Sequence, residues 1–394
     1  MREAVIVEAV RTPIGKGKPN GALAGVHPVD LLAHTLTALL DRAGVPPADI
    51  DDVIGGCVDQ VAEQALNTTR LAWLAAGLPE SVPATTVDRQ CGSSQQAVHF
   101  AAQGVLAGAY DLVVACGIES MSRVPMWSNV PPGADPYGTA LAARYPDGLV
   151  PQGISAELIA AAWSLDRAAQ DAFAATSHRR AAAARAAGHF ADEIVPVPTG
   201  AGVVTDDESV RPATTPEVLA TLRPAFTDPR YGERFPEIDW SVTAGNSSPV
   251  NDGAAALLIA EAATAARLGL RPLARLHTFA VTGSDPLLML TGIIPATAKA
   301  LRRAGLSLAD IDLFEVNEAF ASVVLAWLKD TGADPARVNV NGGAIALGHP
   351  LGASGARLMT TLVHTMRRTG ARYALQTMCE AGGLANATIL ERVP

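Results

Sequence analysis

Charge, cysteine, long apolar runs and basic tracts are all scarce in this chain, and each shortage removes a class of reading. Charged residues make up 18% of the 394 positions, below the ~25% of an average globular chain. Hydrophobic residues reach 49% with no low-complexity tract, so the chain folds around a large core, and its length predicts roughly two or three domains. No apolar stretch approaches the ~18 residues of a membrane span. The opening "MREAVIVEAVRTP" carries an acidic residue inside its apolar run and no small-residue cleavage site, which predicts a cytoplasmic protein without a membrane span. Net charge is −9 and Lys and Arg are scattered, so neither nucleic acid nor an anionic membrane is an expected partner, and a phosphorylated ligand would need a local pocket. The four cysteines, Cys57, Cys91, Cys116 and Cys379, lie far apart with no C-x-x-C pair. That argues against a metal site and against a disulfide framework, and leaves each thiol to be judged singly.

What is present is an α/β alternation. "AVIVEAV" reads as a strand, "PVDLLAHTLTALLDRAG" as an amphipathic helix, "DDVIGGCV" as a strand and "NTTRLAWLAAGL" as a helix; "ATTVD" and "YDLVVACG" continue as strands around a helix that follows Cys91. Between about 121 and 246, Pro/Gly-rich loops surround the Ala-rich helical run "DRAAQDAFAATSHRRAAAARAAG", which predicts an inserted loop domain. The alternation resumes from about 247. "AGVPPADIDDVIGGCV" is echoed by "AGLSLADIDLFEVNEA", and "AGAYDLVVACG" by "TGARYALQTMC", both at an offset near 261. Two homologous halves follow, and their corresponding loop ends are expected to meet at a site.

Singly, the chemical groups stay ambiguous. Cys91 in "TTVDRQCGSSQQAVHF" could be a buried core thiol, but its strand-to-helix junction favours a thiolate, and thiol pKa values at such sites can fall to ~3.5–7.5. "NGGAIALGHPLGASGAR" carries five glycines and His349; a structural turn with a surface histidine competes with a functional loop, and no G-x-G-x-x-G dinucleotide pattern is present. In "FEVNEAFA" an N-cap suffices to explain Asn317. "TMCEAGG" sets Cys379 at the end of an apolar strand before glycines, where core burial competes again. Together these groups form the inventory for acyl transfer through a thioester: a nucleophilic thiol, an imidazole, a second thiol and two Gly-rich turns.

The chain resembles the thiolase family over nearly its whole length, through "RQCGSSQQA", "GIESMSRVP", "TAGNSSPVNDGAA", "NEAFA", "GGAIALGHPLGASGAR" and "MCEAGG" in family order. The resemblance implies an α/β thiolase fold with two βαβαβαββ halves, about 1–120 with 247–270 and about 271–394, in a layered α-β-α-β-α core. A loop domain, 121–246, would bind CoA. It implies the reaction 3-ketoacyl-CoA + CoA = acyl-CoA + acetyl-CoA, with CoA as a substrate and no tightly bound cofactor, in a homodimer or homotetramer. By position, Cys91 is similar to the family nucleophile, His349 to the imidazole that polarises it and later holds the thioester oxygen, and Cys379 to the general acid/base. Asn317 would hold a water at one oxyanion site, and the N–H groups of Cys91 and Ala381 would form another. Arg211 and Ser248 would meet CoA, with Phe226, Met289 and Phe320 lining its channel.

Departures sharpen this expectation. The family commonly has glycine at Ala381 and Ala385, and a positive φ at Ala381 would be strained. Pro151 stands where the acetoacetyl-specific branch has histidine, Val218 where a CoA-contacting serine aligns, and "TDPRYGERFPEIDW" is longer than in compact members. These point to a degradative 3-ketoacyl-CoA thiolase with a roomier acyl pocket. The alternatives are an acetoacetyl-CoA-forming acetyltransferase, a ketosynthase of the same superfamily, which Cys379 and "NEAF" disfavour, and a non-catalytic acyl-CoA or lipid carrier.

Overall fold

A computed structural model describes residues 2–393. The first half runs β1 (Ala4–Arg11), α1 (Pro28–Ala43), β2 (Asp52–Gly56), α2 (Thr68–Ala75), β3 (Ala84–Val87), α3 (Ser93–Ala107) and β4 (Leu112–Ser120). A long loop-rich segment holding helices α4 (Gln152–Ala162) and α5 (Arg167–Ala186) comes next, and then β5 (Asn251–Glu261). The second half runs β6 (Ala274–Gly283), α6 (Ile293–Ala304), β7 (Leu313–Val316), α7 (Ala321–Thr331), α8 (Ser354–Thr369), β8 (Tyr373–Glu380) and β9 (Leu384–Glu391). β2, α3 and β4 begin at Asp52, Ser93 and Leu112, and their counterparts β7, α8 and β8 begin at Leu313, Ser354 and Tyr373, each 261 residues later.

Helix ends follow local chemistry. Pro28 opens α1 while the His27 side chain accepts from Val29 N–H, and Gly44 closes it at φ 64°. The strands lie in the order β7-β8-β9-β6-β1-β5-β4-β2-β3, with Gly15–Lys16 added on β5 as the tenth strand. β1 and β6 pair only at Val5–Arg275 and Ile6–Ala274, so the two halves are joined by a short antiparallel seam. The second half matches the first except at its edge: where β3 pairs along β2, the later half has a single bridge, Phe314–Val338. Asn339 explains the shortening. Its φ of 47° turns the chain away directly after Val338.

Three apolar clusters fill the spaces between five layers, α-β-α-β-α, the central one packing both faces of the middle helices. Leu31, Leu36 and Leu39 of α1 pack with Trp73 of α2 on Val53, Val114 and Leu258. Val98, Ala101 and Val105 of α3 pack with Met359, Leu362 and Val363 of α8 between residues of both sheet halves, such as Ile259 and Leu390. Ala296 and Ala300 of α6 pack with Val324 and Trp327 of α7 on Leu375 and Ile389. The central pair of helices is held close by small residues. A Cβ at Gly355 would lie 2.3 Å from the Gln95 nitrogen, and Ala356 N–H donates to Ser94 Oγ at 2.8 Å. Their N-termini therefore face each other across the site.

The loop-rich segment is tied to β1 through a buried charge cluster. Arg11, fully buried, donates to Glu193 Oε1 at 2.6 Å and to both Asp207 oxygens at 2.7 and 2.9 Å. Asp207→Ala leaves the Arg11 charge half unpaired in the interior, and a loss of about 3–5 kcal/mol in unfolding free energy is expected from urea denaturation. An unchanged midpoint would show that this cluster does not anchor the segment.

Candidate active site

Cys91 sits in the turn between β3 and α3, and that turn is fixed by its neighbours. Gln90 takes φ 48°, Ser93 Oγ accepts from Arg89 N–H at 2.9 Å and donates to the Gln90 carbonyl at 2.6 Å, and Gly92 caps the helix. The thiol is 5% exposed and packs with Val58, Met121, Leu351 and Met378. Position at a helix N-terminus favours the anion, but burial opposes it and Glu380 adds to the opposition, pushing the thiol up to about 12. The expectation of a lowered pKa is thus reversed in the resting protein. Desolvation of the charged form outweighs the helix end.

His349 comes from the Gly-rich loop before α8 and is buried. Its backbone N–H donates to Asn251 Oδ1 at 3.0 Å, and Val250–His349 bridging fixes the loop against the start of β5. The Ser354 hydroxyl donates to the Pro350 carbonyl at 2.7 Å, and the ring Nδ1 lies 2.6 Å from the same Ser354 oxygen. Nδ1 therefore carries the proton, which leaves a lone pair on Nε2. That Nε2 is 3.4 Å from the Asn317 amide nitrogen. Burial, then the Arg357 charge, lowers the imidazole to about 3, so it rests neutral and able to accept a proton.

Asn317 is not an N-cap. It directly follows β7, its N–H donating to the Thr377 carbonyl at 3.0 Å, while α7 begins four residues later with Phe320 at its cap. Its Oδ1 is buried without a protein partner. The neighbouring Glu318 is structural: it accepts from Ser177 Oγ, Asn339 Nδ2 and Ile345 N–H at 2.6, 2.9 and 3.1 Å, clamping α5 to the Gly-rich loop.

Cys379 lies at the end of β8, fully buried, opposite Ala385 of β9. Burial and then the nearby Cys91 push its thiol well above the usual range, so the two sulfurs share one electrostatic site. The hairpin after it takes its left-handed conformations at Gly382 and Gly383, with φ of 82° and 80°. Ala381 is not among the positive-φ residues, and the strain expected there does not arise.

The repeat also reveals a pair that the motifs did not single out. Glu119 and Glu380 occupy matching places at the ends of β4 and β8, each beside the other half's central helix. Glu119 is satisfied, accepting from Gly352 N–H, Val58 N–H, Asp59 N–H and Gln64 Nε2 at 2.7–3.2 Å. Glu380 is not. A Cβ at Gly92 would lie 1.9 Å from its Oε1, its Oε2 has no partner, and burial holds its carboxyl well above the ordinary value. With its amide turned so that nitrogen faces the carboxylate, Asn386 donates to Oε1 at 2.8 Å.

Met289 and Phe320 fall in the same apolar cluster as Cys379, with Phe226 and Ala381 packed against it; Phe226 meets Phe320 edge-on at 5.9 Å. Arg211 stands apart on the surface. Its N–H donates to His178 Nδ1 at 3.2 Å, and it shares a small cleft with Ser247 and Pro249, the residues flanking Ser248. Val218 is exposed, and Pro151 caps the start of α4. The long loop "TDPRYGERFPEIDW" forms one short helix, Pro229–Arg234, then packs Phe235 and Ile238 on Ile154 and Leu158 of α4. An open cleft of about 660 Å³ lies beside it, with Leu287 and Leu288 in its wall. Among the described residues no cluster of three His, Cys, Asp or Glu could hold a metal ion, and no helix is long and apolar enough to cross a membrane.

Two family models match the chain. One described as the thiolase N-terminal domain matches residues 4–263, and one described as the thiolase C-terminal domain matches 270–392. The steroid 3-ketoacyl-CoA thiolase FadA6 of Mycobacterium tuberculosis is 49% identical, with 100% of this chain and 95% of that protein covered. The 3-ketoacyl-CoA thiolases of Bacillus subtilis and Erwinia tasmaniensis are 46% and 47% identical, covering 99% and 100% of this chain and all of theirs.

Proposed function

The chain belongs to the thiolase family, and we propose that it cleaves 3-ketoacyl-CoA with CoA through an acyl group carried on Cys91. It is an acetyl-CoA C-acyltransferase of the degradative kind. The observation that carries the residue roles is that Cys91 and Cys379 are two buried thiols in one electrostatic site, beside which stands the reading of His349 as a neutral imidazole with its lone pair on Nε2.

In this reading Cys91 Sγ attacks the 3-keto carbon and its proton passes to His349 Nε2. The C2–C3 bond breaks, and the Cys379 thiol gives its proton to the departing acetyl-CoA carbanion. The acyl group stays on Cys91 and Cys379 becomes a thiolate. CoA then enters, its thiol proton goes to Cys379, its sulfur attacks the thioester, and His349 returns the first proton to Cys91. No metal or redox step is required. The oxyanion at the thioester of acetyl-CoA is held by the His349 imidazole and a water on Asn317, whose Oδ1 lacks a protein partner. The tetrahedral intermediate on Cys91 is held by the N–H groups of Cys91 and Ala381. Donors of this kind each contribute about 2.7–4 kcal/mol.

The segment 121–246 is assigned to CoA, with Arg211 towards the nucleotide, Ser248 towards pantetheine, and Phe226, Met289 and Phe320 along the channel. We assign the core to 1–120 with 247–270 and to 271–394. A role in fatty acid β-oxidation, cytoplasmic location, homo-oligomeric assembly and the lack of a tightly bound cofactor belong to the same proposal. Steady-state thiolysis of acetoacetyl-CoA against longer and ring-bearing 3-ketoacyl-CoA tests it. Higher kcat/KM for the larger substrates is expected; a preference for acetoacetyl-CoA would place the chain in the acetoacetyl-forming branch.

A further inference from the structure

The internal repeat gives the Cys91 turn a counterpart in the other half. Cys91 and Gly352 each stand two residues before the central helix of their half, which begin at Ser93 and Ser354, and they are 261 positions apart. Glu119 and Glu380 keep the same interval at the ends of β4 and β8. At Gly352 the arrangement is closed: its backbone N–H donates to Glu119 Oε2 at 2.8 Å, and Val58 N–H donates to the same oxygen at 2.9 Å. The carboxylate thus takes the N–H that corresponds to the Cys91 N–H, which in the proposed mechanism serves a substrate oxyanion.

Glu380 meets its own turn differently. It is fully buried and presses on Gly92, where a Cβ would lie 1.9 Å from its Oε1 and 2.6 Å from its carboxyl carbon. Asn386 of β9, turned so that both ends of its amide are satisfied, donates to Oε1 at 2.8 Å and accepts from the Gln96 N–H of α3 at 3.2 Å. Oε2 has no partner. One amide donor is a poor substitute for the four N–H donors around Glu119, and an ionised carboxylate with a bare oxygen in the interior is costly. Burial accordingly holds Glu380 well above the usual carboxylate range, with Arg89 and Asp88 on the turn before Cys91 acting in opposite directions.

We propose that Glu380 is a positioning residue that works as the neutral acid: it steadies the Cys91 turn through Gly92 and Asn386 and leaves the Cys91 N–H free for the oxyanion. The proposal rests on the reading of Cys91 as the nucleophile and of its N–H as an oxyanion donor. The proton of Glu380 stays on the carboxyl throughout the reaction and passes to neither substrate nor thiol. When alkali removes it, the carboxylate opposes the Cys91 anion and takes the Cys91 N–H as Glu119 takes that of Gly352. Activity therefore falls as pH rises through the raised value of Glu380. The ionisable groups that face it are Asp88 and Arg89 on the Cys91 turn, Cys91 itself, and Cys379 on β8. Cys379, also raised, sets the alkaline limb that remains when the carboxyl is removed.

The test compares the full-length wild type with Glu380→Gln, a neutral isostere, and Glu380→Met, which fills the space without polar atoms. Infrared difference spectra of wild type against Glu380→Gln at neutral pH read the protonation state, and kcat and KM for 3-ketoacyl-CoA thiolysis are followed as pH is raised. A carboxylic acid carbonyl band is expected in wild type. Glu380→Gln is expected to keep kcat within about threefold of wild type at neutral pH, with the alkaline loss displaced upward by about one pH unit. Glu380→Met is expected to lose about tenfold in kcat with little change in KM, because the turn loses its link to Asn386. A role in packing alone predicts an alkaline limb shared by all three forms. That shared limb, or a carboxylate band in wild type at neutral pH, overturns the proposal while leaving Cys91 as nucleophile; a wild-type Cys91 that takes no acetyl group from acetyl-CoA overturns the underlying reading instead.

Discussion

Cys91→Ala is expected to abolish thiolysis, with a loss on the order of 10⁴-fold or more, because it removes the covalent route and not one contribution to it. The variant should fold. The side chain is small and packs with Val58, Met121, Leu351 and Met378, so its truncation leaves only a minor void. CoA thioesters should still bind, since Met289, Phe320 and Phe226 are untouched. Loss of turnover with retained binding and an unchanged urea midpoint is the expected pattern. Residual thiolysis within tenfold of wild type would show that the acyl group does not travel on this sulfur.

Cys379→Ala is expected to divide the reaction. In the proposed mechanism its thiol moves a proton at the α-carbon or at the CoA sulfur, work for which general acid–base catalysis contributes about 10²–10⁴-fold. Acyl transfer onto Cys91 from acetyl-CoA should survive in the variant, whereas cleavage of 3-ketoacyl-CoA should fall by about that factor. The Cys379 thiol is raised in part by the nearby Cys91, and with Cys379 gone the pH profile of the surviving half-reaction belongs to Cys91 alone. Full 3-ketoacyl-CoA cleavage in Cys379→Ala would exclude the acid–base role. Loss of acylation together with cleavage would point to a structural defect, which the urea midpoint identifies.

Much of this arrangement is legible in the amino-acid order because duplication leaves a measurable period. The echo of "ADID" and of the "VVACG" strand places the two halves in register, and the elements begin 261 residues apart as that echo implies. The same period explains how residues as distant as Cys91 and Cys379 come to share a site: α3 and α8 are matching elements that pack on each other at their first turns, and Cys91 and Cys379 lie at corresponding junctions beside them. The unmatched edge was not legible, because nothing in "RVNVNGG" announces that Asn339 turns the chain away after one bridge.

The electrostatic state of the site was less accessible than its membership. A helix N-terminus suggests an acidic thiol, yet the depth of Cys91 and the approach of Glu380 decide otherwise, and depth is a property of the folded layers. The Glu119 and Glu380 pair lies on the same period as the halves, in "GIES" and "TMCE", so it could have been found from the repeat. Its meaning could not, since only the packing distinguishes a carboxylate with four N–H donors from one with an unpartnered oxygen. Ala381 illustrates the converse. A missing glycine looked costly, but the hairpin takes its left-handed residues at Gly382 and Gly383.

The most direct measurement of the central claim is the mass of the Cys91 peptide after the folded protein is incubated with acetyl-CoA and digested at low pH. An acetyl group on Cys91, lost again when free CoA is added before digestion, is the predicted result. An unmodified Cys91 in protein that still cleaves 3-ketoacyl-CoA, or an acetyl group that sits on Cys379 instead, would contradict it.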